Sequence, residues 1–379
     1  MKDHFNDIEQ YMLLMTLQGK YNKIVSTFQQ KVKSLSPFSY YLLGNAFFKL
    51  HKYEEAIIYW NKSYFLSEGK IWFAKKRAFQ LEKYFHLVTG EKLLFEKEPK
   101  VHVLILTNNR KDYLVETIKC LNQTEYDNCE VFILDNGSID GTKDLLSDIL
   151  SNGLFKKKFN FFIHSLPTNI GRPAGHNFML TYWDHSEADF IAILDDDVLD
   201  FPPNWLKLFL NSFTYSKNVA AVGSKTLSVS GKIQDAFPII LENVLEDDSK
   251  IGFFTHRDEV DFGQYDLINN ICDYVTGCFS VFKKSIFDNV GLFDIMFSPS
   301  QYVDIDHGIR MRLAGYDLLY NGNIYTIHAQ LTHEERKVSK VARGNQLGNS
   351  VKLANKYGYD TFKKIITDRK QRESIFLLS

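Results

Sequence analysis

From Val101 onward, short apolar runs alternate with amphipathic stretches. The runs "VHVLILTNN", "EVFILDNG", "FNFFIHS" and "DFIAILDDD" are almost continuously apolar, and each ends in a polar turn. Between them the spacing of apolar residues predicts helices over 113–123, 141–150 and 175–183. Strands apolar on both faces, separated by helices, predict a mostly parallel sheet covered by helices, an α/β fold. Such sheets gather ligands outside the carboxyl ends of their strands. Here those ends carry 107–110, 135–138 and 195–197, so three sets of polar residues converge on one edge.

The chain before this point reads differently. Residues 1–98 contain helical patterns only, and "SYYLLGNAFFKLHKYEEAIIYWNKSYFLSEG" sets Tyr40, Leu43, Gly44, Phe47, Tyr53, Ala56 and Trp60 in helix-pair register. "GKYNKIVSTFQQKV" aligns with "HKYEEAIIYWNKSY" at an offset of 32 residues, pairing Tyr21 with Tyr53 and Phe28 with Trp60. This looks like a tetratricopeptide repeat, with small residues where two helices touch and a capping helix over 71–87; an ordinary helical hairpin domain is the plainer reading. Such a domain suggests a polypeptide contact, with either a protein partner or a polypeptide substrate. The charged, Pro-containing "FEKEPK" serves as linker to a second domain over 100–335.

Composition narrows the function classes. With 379 residues and 45% hydrophobic content the chain can build two cores. A formal net charge of -1 argues against a nucleic-acid partner. The four cysteines form no CxxC pair, which points to reduced thiols without a zinc site. The first residues lack a signal-peptide layout, and no apolar run reaches the roughly 18 residues of a bilayer span. The expectation is a cytoplasmic protein, soluble or at the inner face of the membrane. Over 336–379, eleven Lys and Arg face three Asp and Glu. This basic helical extension reads as a solvated helix packed back on the domain, as a lid over a bound diphosphate, or as a patch for peripheral contact with anionic lipid.

The candidate chemistry sits at the strand ends. Three aspartates follow "FIAIL", where like charges repel and burial costs hydration. On an extended chain Asp195 and Asp197 face one site and Asp196 faces away. Two carboxylates suit Mn²⁺ or Mg²⁺, whose open positions take substrate phosphates; the plain alternative is a solvated acidic turn. Asp200 suits the N-cap of a helix opened by Pro202 and Pro203. Asp135 can accept the N3 proton of uracil or thymine, or form an Asx turn. In "TNIGRPAGHN", Gly171 and Gly175 permit close backbone approach, the helix start favours an anion, and Arg172 has the reach for a phosphate or sugar. Trp205, Phe237 and Tyr302 are possible sugar platforms, with core packing the default for any aromatic.

"LTNNR", "DNGSIDGT", "NIGRPAGHN" and "LDDDV", with "YVTGCFSVFKKSIFDNVGLFD" and "YVDIDHGIRMRLAGYDLLY", resemble the family 2 glycosyltransferases of GT-A fold over about 101–333. The resemblance implies a nucleotide-sugar donor, a divalent metal and one-step inverting transfer to a hydroxyl of a glycan or polypeptide. It implies that Thr107, Asn109, Arg110, Asp135, Gly137, Gly171, Arg172, Asn177, Asp195 and Asp196 hold the nucleotide sugar. Asp195 and Asp197 hold the metal, with His328 as a third ligand and His333 its rival. The family's Glu-Asp pair is Val303–Asp304 here, leaving Asp304 as general base and Asp306 as cap of the following helix. "YVTGCFSVF" reads as a buried strand with Gly277 on the acceptor side. A sugar-phosphate nucleotidyltransferase would carry a glycine-rich loop where "TNNRKDYL" stands, and a dead sugar-binding scaffold is disfavoured by the intact aspartates.

Overall fold

A computed structural model describes residues 6–30, 35–152, 159–241, 252–269, 272–329 and 340–378. Two compact units divide the chain: Met1–Thr89 with Val260–Leu267, and the remainder.

The first unit is helical: α1 (Asp7–Leu17), α2 (Tyr21–Phe28), α3 (Pro37–Lys49), α4 (Tyr53–Leu66), α5 (Trp72–Lys83) and α6 (Phe85–Thr89). Asn6 and Glu9 form a reciprocal capping box at the start of α1. Ser36 caps α3, with Pro37 in its first turn. The 32-residue offset places Tyr21 and Tyr53 at the first positions of α2 and α4. A Cβ on Gly44 would lie 2.5 Å from Trp60 Cδ1, so only glycine lets α3 and α4 approach this closely. The single capping helix expected over 71–87 is two, α5 and α6, broken at Tyr84. Phe262 packs among Phe38, Tyr41 and Phe73 at centroid distances of 5.2, 6.4 and 6.0 Å. The segment 260–267, far along the chain, is thus part of the helical unit.

The second unit starts at Gly90, before the expected linker. Leu94 N donates to Asn211 Oδ1, and Asn211 Nδ2 donates to Lys92 O, which ties 90–94 to this unit. Its elements are β1 (Val101–Thr107), α7 (Lys111–Leu121), β2 (Cys129–Asp135), α8 (Thr142–Asn152), β3 (Asn160–Ser165), α9 (Arg172–Tyr182), β4 (Phe190–Asp195), β5 (Val198–Leu199) and α10 (Trp205–Ser212). There follow β6 (Val219–Leu227), β7 (Ile233–Asp235), β8 (Ile239–Ile240), β9 (Phe253–Phe254), β10 (Ile268–Asn269), β11 (Phe279–Lys283), α11 (Ser285–Asn289), α12 (Val303–Leu313), β12 (Asp317–His328) and α13 (Lys340–Leu378). The main sheet runs β10-β12-β6-β11-β4-β1-β2-β3, with β5 on β12 and β7 on β6. β1, β2, β3 and β4 are mutually parallel; β11 runs antiparallel between β4 and β6. The run expected as one strand around Gly277 is strand only from Phe279, and "YNGNIYTIH" belongs to one long strand with an irregularity between Asn321 and Tyr325.

The basic C-terminal helix is an integral part of this unit. Leu353, Phe362, Ile365 and Ile366 enter the core, next to Ile309 and Phe297. Its cations find partners in the same unit: Lys356 with Asp294 and Asp306, Arg369 with Asp273, and Arg372 with Asp317. These contacts are those of a helix packed back on its domain.

Candidate active site

The strand that raises the question of three aspartates stops at Asp195; Asp196 and Asp197 form a tight turn into β5. Alternation along an extended chain therefore does not bring Asp195 and Asp197 together. The turn does, helped by β5 pairing with the end of β12, where His328 sits opposite Val198. One ligand atom from each of Asp195, Asp197 and His328 lies within 4.8 Å of the others. His328 Nε2 is 2.9 Å from Asp197 Oδ1 and 3.6 Å from Asp195 Oδ2.

The donor set suits a divalent cation. His328 Nδ1 is 2.8 Å from Gln234 Oε1. An amide oxygen can only accept, so Nδ1 carries the proton and Nε2 presents its lone pair to the carboxylates. That Nε2 is buried and has no hydrogen-bond partner. A bare lone pair facing carboxylates is unfavourable alone and becomes favourable with a cation between them.

Two arginines surround the acids. Arg110 pairs with Asp197. Arg172 grips Asp195 with Nη1 and Nη2, at 2.9 and 2.6 Å, and donates from Nη2 to Gly277 O at 2.8 Å. Burial raises the Asp197 carboxyl, and the Arg110 guanidinium beside it pulls it back down. Asp196 points elsewhere and is pushed up to about 7, first by burial and then by its two acidic neighbours.

Across Gly277 stands Asp304. Gly277 N donates to its Oδ2 at 3.2 Å, and a Cβ on Gly277 would meet Arg172 Nη2 at 3.2 Å and Asp304 Cβ at 3.5 Å. Burial raises the Asp304 carboxyl above its ordinary value, with Arg172 pulling it part of the way back. Asp306 does not cap α12: it is fully buried and holds Arg310 at 2.9 Å, Lys356 at 2.5 Å and Tyr357 at 2.6 Å. Asp200 does not cap α10 either; that position is Asn204, and Asp200 adopts a φ of +48°.

The remaining expected residues divide by surroundings. Arg110, Arg172, Asp195, Asp304, His328 and Tyr302 line one cleft of about 850 Å³. Asp135 ends β2 and accepts from Ser138 N, three residues on, at 2.9 Å, which is one residue longer than an Asx turn. Thr107 closes β1, buried beside Asp196. Asn109 is spent on the neighbouring loop, donating from N to Ser138 Oγ and accepting from Ile139 N. Gly137 has a φ of +73°, and a Cβ there would lie 2.4 Å from Thr168 C. Asn177 lies away from the cleft chemistry, where its side-chain amide clamps both backbone groups of Phe293. The start of α9 is not an open anion site, because Arg172 N donates to Pro299 O and Pro173 has no N–H. Trp205 is fully buried, and Phe237 packs on Tyr320 at 4.5 Å, so neither is a platform. His333 lies outside the described residues.

Sequence reasoning passed over several cleft residues: His176, Gln234, Asp235, Arg257 and Gln346. His176 Nε2 is buried without a partner, and burial followed by Arg172 lowers the ring to about 4. Asp235 is pushed well above the usual carboxyl range by burial.

A mostly parallel sheet with acids and an imidazole at its carboxyl edge, and a further carboxyl across the cleft, is the GT-A arrangement of nucleotide-diphospho-sugar transferases. The chain belongs to glycosyl transferase family 2, whose model matches residues 102–291. It is 25% identical over 267 residues to the uncharacterized glycosyltransferase YfnE of Bacillus subtilis (strain 168), covering 61% of this chain and 65% of that one. It is 26% identical over 249 residues to the uncharacterized protein y4gI of Sinorhizobium fredii (strain NBRC 101917 / NGR234), covering 63% of this chain and 25% of the relative. The chain thus spans less than two thirds of either relative. In fold it is similar to GalNAc-T7, solved with UDP, GalNAc and Mn²⁺, at 13% identity and a TM-score of 0.51, over 70% of this chain and 50% of that one. No described helix is long and apolar enough to cross a membrane.

Proposed function

We propose that this chain transfers a glycosyl unit, with inversion, from a UDP- or dTDP-sugar to a hydroxyl acceptor. The observation that carries the reading is the meeting of Asp195, Asp197 and His328 on one side of Gly277, with Asp304 on the other. Asp197, His328 and Asp195 would hold the divalent cation, Mn²⁺ or Mg²⁺, which when bound offsets charge growing on a departing diphosphate. Arg172 and Arg110 place two more cations beside the same carboxylates.

Asp304 takes the proton from the acceptor hydroxyl. The hydroxyl oxygen bonds to the anomeric carbon as the bond from that carbon to the diphosphate oxygen breaks, and the electron pair leaves with the diphosphate. A base on the face opposite the leaving group gives inversion. A carboxyl raised by burial is a stronger base than an exposed one, which suits proton abstraction near neutral pH. Asp135 offers an acceptor for the N3–H of uracil or thymine, a proton that cytosine lacks.

The acceptor is a glycan rather than a polypeptide read by the helical unit. Aromatic side chains of α3 and α5 are already engaged by Phe262 of the chain's own 260–267 segment, which supports a structural role for these helices. A panel of nucleotide sugars, assayed for hydrolysis and transfer with Mn²⁺, with Mg²⁺ and with EDTA, tests the reading. Full turnover in EDTA removes the metal, and retained anomeric configuration by NMR removes the single displacement.

A further inference from the structure

One wall of the cleft carries a carboxyl that no motif accounts for. Asp235 closes β7, in register with Thr226 of β6, and is 8% exposed. Its Oδ1 is buried and has no hydrogen-bond partner. Buried polar atoms in folded proteins are nearly always satisfied. A carboxyl with an oxygen left over, in a residue that lines a cavity, offers itself to a ligand's hydrogen bond. Thr255 and Arg257 line the same cavity, as do Phe253, Tyr274 and Tyr302. Phe253 stands edge-on to Tyr274 at 5.9 Å and to Tyr302 at 5.5 Å. Asp304 lies close enough for its charge to act on Asp235.

This combination has a chemical meaning. A pyranose presents apolar C–H faces and a rim of hydroxyls, each of which both donates and accepts. Aromatic surface matches the first, and a carboxyl with a guanidinium matches the second. Burial pushes the Asp235 carboxyl well above the usual range, and a carboxyl in its protonated form both donates and accepts, as a hydroxyl requires. An extended peptide would instead need a row of backbone partners.

We propose that Asp235 and Arg257, with Phe253 and Tyr302, form the acceptor subsite, and that it takes a glycosyl unit, one hydroxyl of which Asp235 holds while another faces Asp304. The proposal rests on the transferase reading above and deepens it. None of these four residues belongs to the donor or metal set, so Asp235 and Arg257 are specificity-determining for the acceptor.

The test uses the full chain with Mn²⁺ and UDP, and as probes a panel of p-nitrophenyl α- and β-monosaccharides followed by saturation-transfer NMR. The wild type is expected to bind at least one glycoside. Asp235→Leu is expected to raise its Kd at least tenfold and Arg257→Ala several-fold, and Asp235→Asn, which keeps a donor and an acceptor, to come closest to wild type. UDP binding by thermal shift is expected to persist in all three variants and reports that they are folded. Arg257 is exposed, so its variant remains informative should a buried replacement at 235 misfold. Equal glycoside affinity in Asp235→Leu and Arg257→Ala overturns the subsite. So does a wild type that binds UDP but no glycoside, or one that glycosylates Ser/Thr peptides in their place. Glycoside binding without any nucleotide binding overturns the transferase reading and leaves the sugar subsite standing.

Discussion

Arg172 occupies both oxygens of Asp195, from 2.9 and 2.6 Å, in a bidentate pair. A cation at this site must therefore share Asp195 with a guanidinium that also holds Gly277 O. The pair links the expected metal site to the residue that positions Asp304, since Gly277 N donates to Asp304. Arginine suits this position because its planar fork matches a carboxylate, which a lysine ammonium does not.

Removing that fork has two opposite effects. Arg172→Ala is expected to tighten Mn²⁺ binding to the donor-free protein, because Asp195 is released. It is also expected to lower kcat/KM by about 10–100-fold, the equivalent of a charged hydrogen bond worth about 1.5–3 kcal/mol. Calorimetric titration of Mn²⁺ and steady-state kinetics check the two arms. Unchanged metal affinity would mean that Asp195 is not a ligand.

The Gln234–His328 contact sets the tautomer that leaves Nε2 free for a cation. Partners of this kind typically contribute 10–100-fold to metal affinity. Gln234→Leu is expected to lose about that much Mn²⁺ affinity, and His328→Ala at least as much. Loss of free Mn²⁺ signal by EPR gives both values directly. An unaffected Gln234→Leu would show that the imidazole orients itself without help.

Asp304→Asn keeps the shape of the side chain and removes the proposed base. The expected loss in kcat is about 10²–10⁴-fold, with donor affinity retained. The sign of the pH effect follows from the same group. The base works ionised, and burial raises its pKa, so kcat/KM falls with acidification at a higher pH than the ordinary aspartate value of about 3.9 allows. That acid limb is expected to vanish from the residual activity of Asp304→Asn. A limb of the same midpoint in the variant would assign it to another group.

Much of this was legible in the sequence, for a physical reason. β1, β2 and β4 are covered on both faces or nearly so, and this appears as unbroken apolar runs whose polar ends, Thr107, Asp135 and Asp195, lie at the functional edge; β3, with an equally apolar run, is a half-exposed edge strand. Contacts that depend on distant segments were not legible. Asp306 has the look of a helix cap, yet Lys356 and Tyr357, half a hundred residues on, turn it into a buried anchor. Asp235 and Gln234 sit on a three-residue strand, too short for any periodicity to show, and reach the cleft only because β7 pairs with β6. Phe262 joins the helical unit through packing that local pattern does not encode.

Buried neutral histidines make the second unit acid-sensitive. His307 is 1% exposed and stacks on Phe287 at 5.5 Å. Burial lowers it to about 3. The unfolded chain binds a proton near pH 6.5 and the folded chain does not, so stability is full above pH 6.5 and is lost as the pH falls toward 3. His307→Phe keeps the aromatic packing and removes this proton linkage. The variant is expected to show a flatter decline of Tm between pH 6.5 and 4 than the wild type. Parallel declines would place the linkage on other groups, such as His102, which burial also lowers to about 4.

In the helical unit one cation organises the packing of the 260–267 segment. Arg77 is 4% exposed and donates to Tyr41 Oη at 3.1 Å, Asn45 Oδ1 at 2.7 Å and Gly263 O at 3.3 Å. It pairs with Asp266 at 3.3 Å and lies over the Trp60 ring at 4.3 Å. Breaking a buried pair by deleting one partner typically costs about 3–5 kcal/mol, because the other charge stays buried and uncompensated. Arg77→Ala is expected to destabilise this unit by that order and to release the segment, exposing Phe262 and Tyr265 to chymotrypsin. Arg77→Ala with Asp266→Ala removes both charges together, so the double variant is expected to lose less than the sum of the two single ones. Additive losses in urea unfolding would mean that Arg77 acts through its neutral hydrogen bonds and its stacking on Trp60, not through Asp266.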